Sequence, residues 1–394
     1  MRVGAVGNDV VGRAGEFVRT NPESIAVVVV GLVVTVAVTY GLFHYRRPMG
    51  VLFKSVLADR DELSILMHPN PDPDAMAAAI GVATLADQLD VDTTLQFSGQ
   101  IRHQENRAFR TVLDLDLDCI DHVSKLSAED VVLVDHNSPR GFAGAESVLP
   151  LAVVDHHPGE GDGEAFTDVR TDYGATASIV TEYFRDIGAK PVPPDQHASE
   201  IGARYTIPSE VATGLLYGIL ADTNHLTTGC ADADFDAAGY LYPGVDEDLL
   251  DRIANPQVSA EVLEVKARAI AGRKVQGSFA VSDVGGISNA DAVPQAADEL
   301  MQLEGVTAVV VCGERDGMIY LSGRSRDDRV HMGRALEAAV SDIPNASAGG
   351  HARMGGGQIP ERDEVEVASG NTSARRVSRS ALVDRLFDTL SGDV

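Results

Sequence analysis

Asp155-His156-His157 stands directly after an apolar run, residues 151–154, and offers three adjacent side chains able to hold a metal or move a proton. A lone carboxylate at the end of a buried strand is costly to desolvate, so partners are implied. They arrive in the same manner elsewhere. His68, Asp72 and Asp74 follow the apolar run 63–67, Asp135 and His136 follow 131–134, and Asp222 follows 218–221. Pro69, Pro71 and Pro73 disfavour helix and keep their segment extended, which spaces its side chains around a point. Left bare, Asp72, Asp74, Asp135, Asp155 and Asp222 would repel one another strongly. Divalent cations resolve this. Carboxylate and imidazole ligands without thiolate favour Mn²⁺, with Co²⁺ or Mg²⁺ as alternatives, over structural zinc. The ligands are too many for one ion. Two ions about 3.5–4 Å apart that share a carboxylate would use them all, activate a water and stabilise an in-line attack on phosphorus.

Such a cluster needs elements that deliver it to one edge. Residues 63–67, 131–134 and 151–154 read as strands. Residues 75–89 read as a helix, with Ala75, Ala78, Ala79, Val82, Leu85, Ala86 and Leu89 on one face. Residues 175–187 also read as a helix, while 211–220 fits helix or strand. Strands alternating with helices predict an α/β fold whose parallel sheet is covered on both faces, with ligands bound at the carboxyl edge of its strands. The pattern changes near 255–259. A helix at 260–273 then leads to strand 277–282, helix 294–303, strands 307–312 and 318–323, helix 332–341, a glycine-rich loop, a charged segment and helix 380–390. The expected divisions are a tail at 1–24, a membrane segment at 25–45, a catalytic domain at 46–255 and a smaller α/β domain at 256–394.

A chain of 394 residues is long for a single core, which agrees with two domains. The formal net charge is −27, and basic residues other than Lys54, Lys125, Lys190, Lys266 and Lys274 are arginines. An acidic, lysine-poor surface suits high salt, where the Debye length falls to roughly 3 Å, and points to a halophilic source. It argues against a groove for long duplex nucleic acid but leaves room for a small phosphorylated substrate. Cys119, Cys230 and Cys312 form no CxxC pair and read as buried thiols.

Residues 25–43 carry no charge, and at about 1.5 Å per residue they are just long enough to cross a hydrocarbon layer. Tyr40, Phe43 and Tyr45, then Arg46 and Arg47, have the character of a membrane interface. The expectation is a single-pass anchor in the cell membrane carrying a cytoplasmic body. A homodimer is compatible with the sequence.

The spacing His68-x3-Asp72-x-Asp74, with Asp135, Asp155-His156-His157 and Asp222, resembles the four motifs of the DHH phosphoesterase superfamily. RecJ-type exonucleases, oligoribonucleases active on phosphoadenosine phosphate (pAp), cyclic-di-AMP phosphodiesterases and family II pyrophosphatases belong to it. The resemblance implies that His68, Asp72 and Asp135 hold one Mn²⁺ and that Asp74, Asp135, His156 and Asp222 hold a second. It places His157 beside the reacting phosphate and makes Asp155 an orienting group. Ala348-Gly349-Gly350-His351 resembles the GGH element of the DHHA1 substrate domain, and Arg324 its phosphate-side arginine; His136 joins these as a substrate-side residue. The segment after His351, with Arg353, departs from that pattern. The resemblance thus implies a phosphodiesterase for short nucleotides: oligoribonucleotides, pAp or cyclic dinucleotides. The alternatives are a pyrophosphatase or exopolyphosphatase, or a membrane sensor that binds nucleotides without turnover.

Overall fold

The computed structural model describes residues 48–101, 103–327, 329–360 and 379–392. The chain divides into two compact units, Met1–Asn255 and Pro256–Val394.

In the first unit, α1 (Met49–Leu57) precedes β1 (Glu62–Met67), α2 (Pro73–Asp87), β2 (Asp92–Phe97), α3 (Gln104–Val112), β3 (Asp118–Cys119), β4 (Val131–Val134), β5 (Ala152–Asp155) and β6 (Phe166–Val169). Then come α4 (Thr176–Asp186), β7 (Lys190–Pro191), β8 (Thr206–Ile207), α5 (Ser209–Asp222), α6 (Asp232–Leu241) and α7 (Glu247–Ala254). Six strands form one sheet in the order β3-β2-β1-β4-β5-β6, every pair parallel. The chain leaves β1 toward β2 on one side and returns to β4 on the other. That switch point opens a crevice at the carboxyl ends of β1 and β4, where open α/β sheets bind ligands.

Both faces of this sheet are buried. Ile65, Met67, Val132, Val134, Ala152 and Val154 enter one core with α1, α2, α4 and α5, while Leu66, Val131, Leu133 and Val153 enter a second with Ile120, Phe142 and Ala145. The period-two alternation of β-branched and aliphatic residues supplies both. Helix α2 begins at Pro73, because Asp72 caps it by accepting the Ala75 N–H (3.0 Å) and proline suits a first helical position. The proline-rich segment is therefore extended only as far as Asp72.

The second unit comprises α8 (Ala260–Gly272), β9 (Lys274–Gln276), β10 (Phe279–Gly286), α9 (Ala292–Leu300), β11 (Ala308–Arg315), β12 (Met318–Ser325), α10 (Met332–Val340), β13 (Ser347–Gly350), β14 (Met354–Pro360) and α11 (Arg379–Ser391). Its sheet runs β13-β14-β12-β11-β10-β9, with β10–β11 parallel and the other pairs antiparallel. Helices α10 and α11 share a core with one face, and α8 and α9 with the other.

Several expectations need correction. Residues 211–220, which fit either helix or strand by sequence, belong to a helix, so Asp222 stands at the end of α5. The glycine-rich loop is a hairpin of β13 and β14. Of the cysteines only Cys312 is buried; Cys119 is exposed. The expected cell-membrane location is also corrected: among the described residues no helix is long and apolar enough to cross a membrane. The segment 25–45 on which it rested lies outside the described residues, as does the charged segment at 361–378.

Candidate metal centre

The carboxyl ends of β1, β4 and β5 and the end of α5 bring the predicted ligands together. Among the described residues three groups have ligand atoms that all lie within 4.8 Å of one another: His68, Asp72 and Asp135; Asp74, His156 and Asp222; and Asp135, His156 and His157. Asp135 and His156 each belong to two groups. Asp135 is 1% exposed, and its φ of 61° turns the chain sharply out of β4. His68 Nε2 lies 3.5 Å from Asp72 Oδ2 and 3.4 Å from Asp135 Oδ2. His156 Nε2 lies 3.5 Å from Asp135 Oδ1 and 3.1 Å from Asp222 Oδ2.

The side chains are held from behind. Each of three rings is oriented through Nδ1 by a backbone carbonyl: His68 by Pro69 (2.9 Å), His136 by Val134 (2.9 Å) and His156 by Tyr173 (3.2 Å). This leaves Nε2 of His68 and His156 facing the carboxylates, the usual way a metal-binding imidazole is fixed. Asp155 orients only one histidine of its triplet. Its Oδ1 accepts from His157 Nδ1 (2.9 Å) and the His157 N–H (3.1 Å), and its Oδ2 from Asn137 Nδ2 (2.9 Å). Asp74 is fully buried and accepts the N–H groups of Thr176 (2.7 Å) and Ala177 (2.9 Å) at the start of α4. The Thr176 hydroxyl donates to Asp135 Oδ1 at 2.8 Å. Sequence reasoning missed Thr176, Asn137 and the Tyr173 carbonyl; the only signal was a small polar residue opening the 175–187 helix.

Burial acts to lower the His68 pKa, but contacts with Asp135 and Asp72 outweigh it and push it up to about 11. His156 is likewise raised, to about 10: burial opposes, and Asp222, Asp74 and Asp135 prevail. Burial raises Asp74 well above the usual carboxylate range, helped by the charges of Asp135 and Asp222. His157 is raised chiefly by its hydrogen bond to Asp155. His136 behaves oppositely. It is 1% exposed, and burial pushes it down to about 4. It stands beside Asp135 yet belongs to none of the three groups.

These residues fit divalent cations. Asp135 Oδ2 and His156 Nε2 are buried without a hydrogen-bond partner, although opposite charges stand 3.1–3.5 Å away. Orphaned buried polar atoms are expensive. Oxygen and imidazole donors converging in this way are what a small cation would satisfy.

In the second unit, Gly349 and Gly350 end β13 opposite Gly356 and Gly355. Gly350 has φ +142°, and a Cβ there would lie 2.5 Å from the Met354 carbonyl oxygen, so only glycine fits. His351 is exposed. Its backbone donates to Met354 O (2.8 Å) and accepts from the Gly333 N–H (3.0 Å), which ties the turn to the start of α10. Arg324 is occupied: its guanidinium donates to Asp298 (2.6 and 3.3 Å), Ser322 Oγ and the Gly323 carbonyl.

The arrangement has relatives. The model of the DHH family, N-terminal domain, matches residues 62–219, and that of the DHHA1 domain matches 276–372. An uncharacterized protein of Methanocaldococcus jannaschii is 33% identical over 83% of this chain and 64% of its own length. The cyclic-di-AMP phosphodiesterase GdpP of Geobacillus thermodenitrificans is 28% identical over 77% of this chain and 48% of its own length. The chain thus spans about two thirds and about half of these two relatives. A probable manganese-dependent inorganic pyrophosphatase of Exiguobacterium is 28% identical over 45% of this chain and 54% of its own. An exopolyphosphatase-related protein of Bacteroides fragilis shares the fold, with a TM-score of 0.57 at 16% identity over 86% of this chain and 94% of that one. With the two family models following one another along a single chain, and the motif residues gathered at one sheet edge, this protein belongs to the DHH/DHHA1 phosphoesterase superfamily.

Proposed function

We propose that this protein hydrolyses short nucleotide phosphodiesters at a centre of two divalent cations, Mn²⁺ foremost. The observation that carries the reading is the sharing of Asp135 and His156 among three overlapping groups of metal-capable side chains. In this assignment His68, Asp72 and Asp135 hold one ion, and Asp74, Asp135, His156 and Asp222 the other. Such a pair supplies an activated water and neutralises the phosphate oxygens. The chain's own groups do the rest. Thr176 fixes the shared carboxylate, and the carbonyls behind His68 and His156 fix their tautomers. His157 is half-exposed, with Nδ1 anchored on Asp155 and its pKa raised, which suits it to donate a proton to the departing oxygen. In the second unit we assign substrate contacts to Gly349, Gly350 and His351. Arg324 would have to exchange Asp298 for a phosphate.

A phosphodiester is favoured over pyrophosphate because the GdpP relative aligns with 77% of the chain and the pyrophosphatase relative with 45%. The test is turnover by the purified full chain with Mn²⁺. The panel is a linear dinucleotide, cyclic-di-AMP, pAp, pyrophosphate and polyphosphate. A phosphodiester should be cleaved, and Asp135→Asn should lower the rate by at least about a hundredfold. Tight nucleotide binding without product, or cleavage of only the phosphomonoester pAp, pyrophosphate or polyphosphate, would overturn the reading.

A further inference from the structure

Asp222 is held differently from the other carboxylates of the centre. Asp72 accepts one backbone N–H, Asp74 two, Asp135 a threonine hydroxyl, and Asp155 a backbone N–H and an amide. Asp222 is 29% exposed, meets His156 Nε2 and, among the described residues, accepts no backbone N–H. Its place is therefore set by the backbone that carries it.

That backbone is unusual. Asn224, His225 and Leu226 have φ of 46°, 58° and 59°, three consecutive residues with a Cβ in the left-handed region. Such conformations are disfavoured and persist only where the surroundings over-determine them. Here the surroundings are Thr223, which is fully buried. Its hydroxyl donates to Ile219 O and accepts the Leu226 N–H (3.0 Å), and its carbonyl accepts the N–H groups of Thr227 (3.0 Å) and Thr228 (3.1 Å). The His225 N–H donates to Leu220 O at 2.7 Å. A Cβ on Gly174 would lie 2.7 Å from Thr223 Cγ2, so the turn is wedged against the segment leading to Thr176.

We infer that Thr223, with the left-handed turn it anchors, is the positioning residue for Asp222 and thereby governs occupancy of the Asp74–His156–Asp222 group. The inference rests on the two-ion reading and adds the device that holds its least supported ligand. The experiment is equilibrium dialysis of the full chain against Mn²⁺ without substrate, with bound metal counted by elemental analysis. Thr223→Val keeps the side-chain shape and removes the hydroxyl. It should weaken one of two ions by roughly tenfold or more and leave the other unchanged, and Thr223→Ser should restore it. If Thr223→Val fails to fold, position 225 decides. His225→Val should weaken the same ion, because a β-branched residue resists positive φ, whereas His225→Gly should not. Parent-like binding of both ions by Thr223→Val or by His225→Val would overturn the inference. So would equal losses in His225→Gly and His225→Val, which would assign the effect to the imidazole. A parent that binds fewer than two ions would instead sink the two-ion reading, and this inference with it.

Discussion

At the scale of single residues, the centre sorts its histidines by what reaches Nε2. His68 and His156 meet carboxylates and are held toward the protonated form in the metal-free protein; His136 meets none and is kept neutral by burial. The consequence for stability has a definite sign. In the unfolded chain His136 takes its proton near pH 6.5, whereas the folded protein withholds it until about 4. The unfolded state therefore binds the extra proton across that window, and stability falls as the pH drops from 6.5 to 4, by on the order of 3 kcal/mol. Bound cations would depress the histidine further and keep the sign. His136→Asn removes the titration, so urea unfolding at pH 7 and at pH 4 should show a smaller acid loss in the variant by about that amount. Equal losses would defeat the assignment. Charge and spacing made Asp135, Asp155, His156 and His157 visible in the sequence. Thr176, Asn137 and the Tyr173 carbonyl were not, because their importance lies in backbone geometry that brings residues 41, 18 and 17 positions apart into contact.

At the scale of elements, the strands that end in ligands were legible to within a residue, since β-branched runs buried on both faces leave little freedom. Strands β2 and β6 were not: DTTLQF and FTDV mix polar with apolar residues, and Gln96 and Asp168 are buried on hydrogen bonds that the sequence does not announce. Helix α5 stayed ambiguous because VATGLLYGIL is apolar on every face, as suits a helix enclosed by others. Its two glycines, Gly214 and Gly218, explain how it closes on its neighbours. A Cβ on Gly218 would lie 2.8 Å from Ala77 Cβ and 3.2 Å from Asp74 Cα, so α5 lies against the very turn of α2 that carries Asp74. Gly218→Ala should cost roughly 1–3 kcal/mol of unfolding free energy by overpacking, and it should weaken Mn²⁺ binding by separating Asp74 from Asp222. Gly239, in α6, has nothing within 4 Å of its Cβ position. Gly239→Ala should therefore stabilise by about 0.5–1 kcal/mol and leave metal binding alone. Denaturant unfolding and metal titration of the two variants check both statements; similar behaviour of the pair would show that close approach at Gly218 does not position the site.

At the scale of the whole molecule, charge is the dominant fact. A net −27 on 394 residues means that like charges crowd the surface, while several of the cations are committed locally: Arg170 to Asp168 and Glu182, Arg329 to Asp327, Arg324 to Asp298. These contacts act at short range, and the one with an exposed guanidinium, Arg329–Asp327, contributes little, so they do not offset the long-range repulsion. That repulsion is strongest in the compact state and decays over the Debye length, about 10 Å at 0.1 M salt and 3 Å at 1 M. Two kinds of cation should thus stabilise the fold by distinguishable routes. On the proposed reading, Mn²⁺ should act by mass action at one place, saturate, and depend on Asp135. Molar NaCl or KCl acts on the whole surface, so the melting temperature should climb by several degrees between 0.1 and 1 M, to a similar extent in the parent with chelator present and in Asp135→Asn. Thermal melts across a salt series, run for both proteins, separate the routes. A melting temperature that ignores salt would mean that the acidic surface carries no net repulsion, and a salt effect that vanishes in Asp135→Asn would mean that the monovalent ions act through the metal centre.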